Sequence, residues 1–172
     1  ELNHLYVRER DGTLRDLTPG ENLKAEFLGW RRDGGGFFVL SNERDPQVFD
    51  LYEYDASNYE RRLVYQNPGM DISAVSGDGR WLALARPRTT ADSNLYLVDL
   101  NLRDMREPRL ITEHTGNIAH AAYEFTPDNA ALIYATDEHG EFSQAWRYDL
   151  ASGEKTALVA AEWYVMFVTY SP

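Results

Sequence analysis

A chain of 172 residues is long enough to fold as one domain with a sizeable core, and 43% hydrophobic with 13% aromatic residues makes it globular rather than disordered. The formal net charge of −11, from 17 Lys and Arg against 28 Asp and Glu, argues against nucleic acid and acidic membrane surfaces as partners. The lack of cysteine excludes disulfides, thiolate metal sites and a cysteine nucleophile, and no apolar run reaches the roughly 18 residues that a membrane helix needs.

The chain opens with a strand expected at Asn3–Glu9, a turn at Asp11-Gly12 and a second strand at Leu14–Thr18. Four strands follow, at Ala25–Trp30, Gly36–Ser41, Phe49–Asp55 and Arg61–Tyr65. The next four are Met70–Ser76, Trp81–Arg86, Asn94–Asp99 and Arg109–Thr112. The last four are Ile118–Phe125, Ala131–Thr136, Gln144–Asp149 and Thr156–Val159, and a single strand at Val165–Ser171 closes the chain. Turn residues separate them, as in Asp33-Gly34-Gly35-Gly36, Asp78-Gly79 and Ala151-Ser152-Gly153. No long helical periodicity interrupts the series. Several second strands are apolar on both faces, which suits a sheet sandwiched between two others.

The same words return in each group of four. Trp30-Arg31-Arg32-Asp33-Gly34, Ser76-Gly77-Asp78-Gly79 and Phe125-Thr126-Pro127-Asp128-Asn129 each precede an apolar run. Leu51-Tyr52-Glu53-Tyr54-Asp55, Leu95-Tyr96-Leu97-Val98-Asp99 and Ala145-Trp146-Arg147-Tyr148-Asp149 form the second word, which also stands at Leu5-Tyr6-Val7-Arg8-Glu9. A unit of about 45–50 residues with several short strands signals a β-propeller array. The fold class is therefore all-β: a propeller segment of three full four-stranded blades with a partial blade at each end. The units are expected at 1–24 (partial), 25–69, 70–117, 118–163 and 164–172 (the start of another blade).

An aromatic residue, Asp-Gly, an apolar strand, a charged loop and Leu-Tyr-x-x-Asp resemble the TolB-like, WD40-like propeller repeat. Gly36-Phe37-Phe38-Val39-Leu40-Ser41-Asn42-Glu43-Arg44-Asp45 through Phe49-Asp50-Leu51-Tyr52 is similar to the N-terminal propeller of prolyl-oligopeptidase-type (S9-like) serine peptidases, among them dipeptidyl aminopeptidases and acylaminoacyl peptidases. The resemblance covers essentially the whole chain. It implies a non-catalytic, substrate-gating segment whose partners are an α/β-hydrolase domain of the parent chain and a peptide substrate. No Gly-x-Ser-x-Gly elbow occurs here, and the Glu-Glu pair that binds a substrate amino terminus in related dipeptidyl peptidases has no counterpart; Glu60-Arg61-Arg62 is not that motif. No catalytic, cofactor or metal residue is carried over.

The remaining candidates are few. Glu43, Arg44 and Asp45 lie on a charged connection and are read as a rim contact with a partner, against a local surface ion pair. His120, on a first strand, is read as facing the channel, against a hydrogen-bonded structural histidine. None of His4, His114, His120 and His139 has a partner at metal-ligand spacing. Asp33, Asp78, Asp128, Asp55, Asp99 and Asp149 recur with the repeat, so each is expected to bond its own backbone two residues on. Asp137-Glu138-His139-Gly140-Glu141 lacks the spacing of a calcium loop. Gly34-Gly35-Gly36 leads into a strand and is no phosphate cradle.

Two rival functions stand beside the peptidase reading. One is a TolB-like propeller working as a protein–protein interaction module. The other is a propeller glycosidase, for which Glu124 is the single candidate carboxylate. The aromatics Tyr52, Tyr96 and Trp146 are expected between neighbouring blades. The chain starts and ends within a unit, so its open edges predict self-association, two copies approximating a seven-bladed ring. No signal peptide is legible, and the compartment is open between cytoplasm and periplasm.

Overall fold

A computed structural model describes residues 3–102 and 107–170. The chain divides into two compact units, Glu1–Met70 and Asp71–Pro172. Among the described residues every regular element is a strand.

The first unit holds a two-stranded sheet and a four-stranded one. β1 (Tyr6–Arg8) pairs antiparallel with β2 (Leu14–Asp16). β3 (Ala25–Trp30), β4 (Gly36–Asp45), β5 (Val48–Asp55) and β6 (Arg61–Tyr65) form a meander in that order. The second unit holds two more meanders. One is β7 (Asp71–Val75), β8 (Trp81–Thr89), β9 (Asp92–Asp99) and β10 (Arg109–Leu110). The other is β11 (His120–Phe125), β12 (Ala131–Thr136), β13 (Gln144–Asp149) and β14 (Lys155–Val159).

The strands follow the expected series with shifted ends. β4 and β8 run past Ser41 and Arg86, because their hairpins keep pairing to Asp45↔Val48 and Thr89↔Asp92. No strand forms over 165–170, and Ser171 lies outside the described residues. A strand is defined by its ladder, and among the described residues this segment joins none. It is held instead by Val165 N–H donating to the Ser143 carbonyl at 2.9 Å and by the Tyr123 hydroxyl donating to the carbonyls of Val165 and Met166. Trp163, Met166 and Phe167 on this segment stay exposed.

The recurring turn explains the recurring aspartate. Gly34, Gly79 and Asn129 donate to the carbonyls of Arg31, Ser76 and Thr126 at 2.8–3.0 Å, and all three residues are left-handed, with φ of 69°, 73° and 55°. Glycine adopts that conformation without penalty and asparagine with little, which is why Asn129 stands where the other copies have glycine. The preceding aspartates accept the N–H two residues on: Gly35 to Asp33 at 2.9 Å, Arg80 to Asp78 at 3.0 Å and Ala130 to Asp128 at 3.0 Å. Asp55, Asp99 and Asp149 do the same for Ser57, Asn101 and Ala151. All six are turn residues. Gly79→Val forces a β-branched residue into this region and should cost about 1–3 kcal/mol, whereas Gly79→Asn should cost under about 1 kcal/mol. Urea unfolding of the two variants measures the difference.

Packing between sheets repeats as well. In the second unit, Ala83, Leu95, Leu97 and Ile111 from one sheet share a core with Phe125, Leu132, Tyr134 and Tyr148 from the next. In the first unit the corresponding positions of β4 and β5, Phe37, Val39 and Tyr54, pack with Leu5 and Leu17 of the leading sheet. The aromatic expected between blades is therefore not the best-buried one. Tyr52 and Trp146 reach these clusters but remain half-buried, and Tyr96 is half-buried outside them. The fully buried position lies two residues further on, at Tyr54, Val98 and Tyr148. Side chains two apart share a face, and the later one sits deeper along it. The two tyrosines also bond at that depth: the Tyr54 hydroxyl donates to the Leu17 carbonyl at 3.3 Å, and Arg109 donates to the Tyr148 hydroxyl at 2.9 Å.

Candidate functional site

The four residues proposed from sequence fall in two places. Glu43, Arg44 and Asp45 end β4 in the first unit. Arg44 donates two hydrogen bonds to Asp50, at 2.7 and 2.9 Å, and a third to the Asn67 carbonyl at 3.1 Å. The Asp50 side chain is fully buried, and it also accepts the Asn67 N–H at 2.8 Å. Arg44 thus neutralises a buried carboxylate of its own sheet, a pairing that is costly to break once formed. Glu43 is held by Arg61 at 2.5 and 2.9 Å, and Asp45 accepts the Gln47 N–H at 2.9 Å.

Close by, a cavity of about 380 Å³ is lined by Arg31, Glu53, Arg61 and Arg62. Glu53 accepts from Arg31 at 2.8 Å and also from Arg62, while Arg31 is paired with Asp33 as well. Its charges are matched from within, so it is a solvent-facing ion-pair network of small net worth.

His120 belongs to a more unusual cluster in the second unit. The β8–β9 hairpin is stitched to the start of β11: Ser93 donates its N–H to the Ile118 carbonyl at 3.0 Å and its hydroxyl to the His120 carbonyl at 2.7 Å, and it accepts the His120 N–H at 2.7 Å. This places the His120 ring 5.0 Å from the ring of His114, edge to face. His114 is pinned between the Thr112 carbonyl at 2.8 Å and the Asp92 carboxylate at 3.0 Å. The His120 Nδ1 meets the Thr136 hydroxyl at 3.1 Å. Its Nε2 is buried without a hydrogen-bond partner, 4.0 Å from a Glu138 oxygen. Burial, with the positive charges of His114 and Lys155 added, lowers the His120 pKa to about 4. The ring is therefore neutral near pH 7.

Sequence reasoning named His120 and missed its setting. His114, Asp92 and Ser93 carry no common spacing; they converge because 113–117 bridges the end of one sheet to the start of the next. The one available signal was a second histidine six residues before His120.

A cavity of about 470 Å³ opens beside this cluster. Asp71, Ser73, Ala85 and Thr89 line it from β7 and β8, with His120 and Ala121 from β11. β7 and β11 are both edge strands of their sheets.

Among the described residues no serine hydroxyl hydrogen-bonds a histidine ring. The hydroxyl that does, Thr136, belongs to a residue that is almost fully buried. No group of three His, Cys, Asp or Glu that could hold a metal ion occurs among the described residues. Glu124, the glycosidase candidate, accepts the Tyr170 backbone N–H at 2.5 Å.

No family model matches the chain. It is 25% identical over 166 residues to dipeptidyl aminopeptidase BIII of Pseudoxanthomonas mexicana, covering 91% of this chain and 23% of that protein. The chain thus spans about a quarter of the curated relative it matches. Among solved structures, TolB of Acinetobacter baumannii superposes with a TM-score of 0.65 at 21% identity, over 94% of this chain and 38% of that one. Dipeptidyl peptidase 4 of Porphyromonas gingivalis gives 0.59 at 14%, over 97% and 31%. A prolyl endopeptidase structure gives 0.63 at 16%, over 94% and 26%. Three four-stranded antiparallel meanders, and neighbours of this kind, agree on one fold. The chain is a β-propeller segment with TolB-like repeats, similar to part of a prolyl-oligopeptidase-type peptidase.

Proposed function

We propose that this segment is the non-catalytic, substrate-gating part of a prolyl-oligopeptidase-like serine peptidase, working beside an α/β-hydrolase domain of the same parent chain. The observation that carries the reading is the match to dipeptidyl aminopeptidase BIII, which takes in nearly all of this chain and a quarter of that one. The absence of a Gly-x-Ser-x-Gly elbow from the sequence is in keeping with a purely non-catalytic part. The likeness to TolB favours a second reading, a propeller that serves as a protein–protein interaction module.

The coding sequence beyond Pro172 separates the two: a Gly-x-Ser-x-Gly after the last blade supports the peptidase, and a stop codon there supports the module. The isolated 172-residue chain is expected to leave peptide p-nitroanilides intact and to take up no fluorophosphonate probe, since no serine is activated. Stoichiometric labelling of any serine overturns the assignment of a non-catalytic role.

A further inference from the structure

The 470 Å³ cavity of the second unit has walls of one kind and a single charge. Alanines and hydroxyls dominate its lining: Ala85 and Ala121 with Ser73 and Thr89. His120 lines it as a neutral ring. Asp71 brings the only carboxylate, and neither an ion pair nor a hydrogen bond engages its side chain among the described contacts. Most other carboxylates on these strands are engaged: Asp92 by His114 and Arg88, Asp99 by Arg80, and Asp149 by Arg147. The edge strands β7 and β11 flank the cavity, and an edge strand presents backbone N–H and C=O groups that an extended chain can pair with.

We propose that this cavity binds an extended peptide through a basic side chain, lysine or arginine, with Asp71 as its counter-charge. The alkyl stem of such a side chain packs on the alanines, the hydroxyls replace part of its hydration, and the cationic head meets Asp71. The neutral His120 imposes no repulsion on the incoming cation. A glutamate in the same place would lose its hydration and face Asp71, so charge discriminates as well as shape. The inference rests on the reading of this segment as one that handles peptide substrates, and it specifies which peptides.

The test is calorimetric titration of the 172-residue chain with three blocked tripeptides, acetyl-Ala-Lys-Ala-amide and its Leu and Glu counterparts. The lysine peptide should bind at least tenfold tighter than either, and more weakly as salt rises. Asp71→Asn should remove that preference while the melting temperature stays unchanged, because Asp71 is exposed. Ala121→Lys, also at an exposed position, places a competing ammonium in the cavity and should abolish lysine-peptide binding. Equal affinity for the three peptides overturns the proposal, as does a lysine preference that survives Asp71→Asn. Neither result touches the gating assignment, which the gene sequence and the serine probe decide independently.

Discussion

Leu132→Ala should destabilise the chain by about 2–5 kcal/mol, a large share of the roughly 5–15 kcal/mol that holds a typical domain folded. Leu132 is fully buried in the core formed by two neighbouring sheets of the second unit, and so is Leu97 from the opposite sheet. Removing three carbons from either leaves a cavity between two sheets whose backbones are fixed by their own ladders, so collapse recovers little of the loss. Leu97→Ala is expected in the same range. Trp146→Ala, at one of the aromatics expected between blades, should cost less, about 1–3 kcal/mol, because that indole is only partly withdrawn from water and its outer face rests on His139 at 4.0 Å between ring centroids. Urea denaturation of the three variants checks the order. A Trp146→Ala chain weaker than the Leu132→Ala chain would move the contact between sheets from the deeper position back to the shallower one.

Acidification should destabilise the chain through His120. Its folded pKa, about 4, lies below the ordinary imidazole value of 6.5. The unfolded chain therefore takes up a proton that the folded chain refuses between these values. The stability contribution is fully present above about pH 6.5 and is lost as pH falls toward 4, by about 3 kcal/mol in all. The principal cause is burial, followed by the charges of His114 and Lys155; Asp137 and Asp92 oppose the shift. The groups around the ring are Tyr134 at 6.1 Å between centroids, Thr136 on Nδ1 and Glu138 at 4.0 Å from Nε2. Carboxylates also titrate in this window, so the informative quantity is a difference. His120→Gln removes the imidazole, and its stability should fall less than the parent's between about pH 7.5 and 4.5, by roughly the same 3 kcal/mol. Identical pH profiles for the two chains would show that His120 is as easily protonated in the fold as out of it.

The repeat was legible in the sequence because each copy must solve the same local problem. Asp33-Gly34, Asp78-Gly79 and Asp128-Asn129 build one turn with one left-handed residue, and a left-handed residue selects glycine or asparagine whatever surrounds it. Strand order followed for the same reason, since short turns between apolar runs leave a meander as the simplest connection. What the sequence did not show depends on residues that meet only after the strands are paired. Each first strand carries an extra residue opposite its partner, between Phe27 and Gly29, between Ile72 and Ala74, and between Ala122 and Glu124. Leu28, Ser73 and Tyr123 share no chemistry that marks a bulge; the ladder decides which residue is left over. Arg44 reads as a rim contact or a local surface ion pair, on one charged connection with Glu43 and Asp45, until Asp50 is seen buried beneath it. The pairing of His114 with His120 and the opening of the cavity at Asp71 likewise belong to the packing of one sheet on the next. Turn chemistry is local and is written in adjacent residues, whereas burial and electrostatic environment are set by neighbours distant in sequence, and these only the tertiary structure decided.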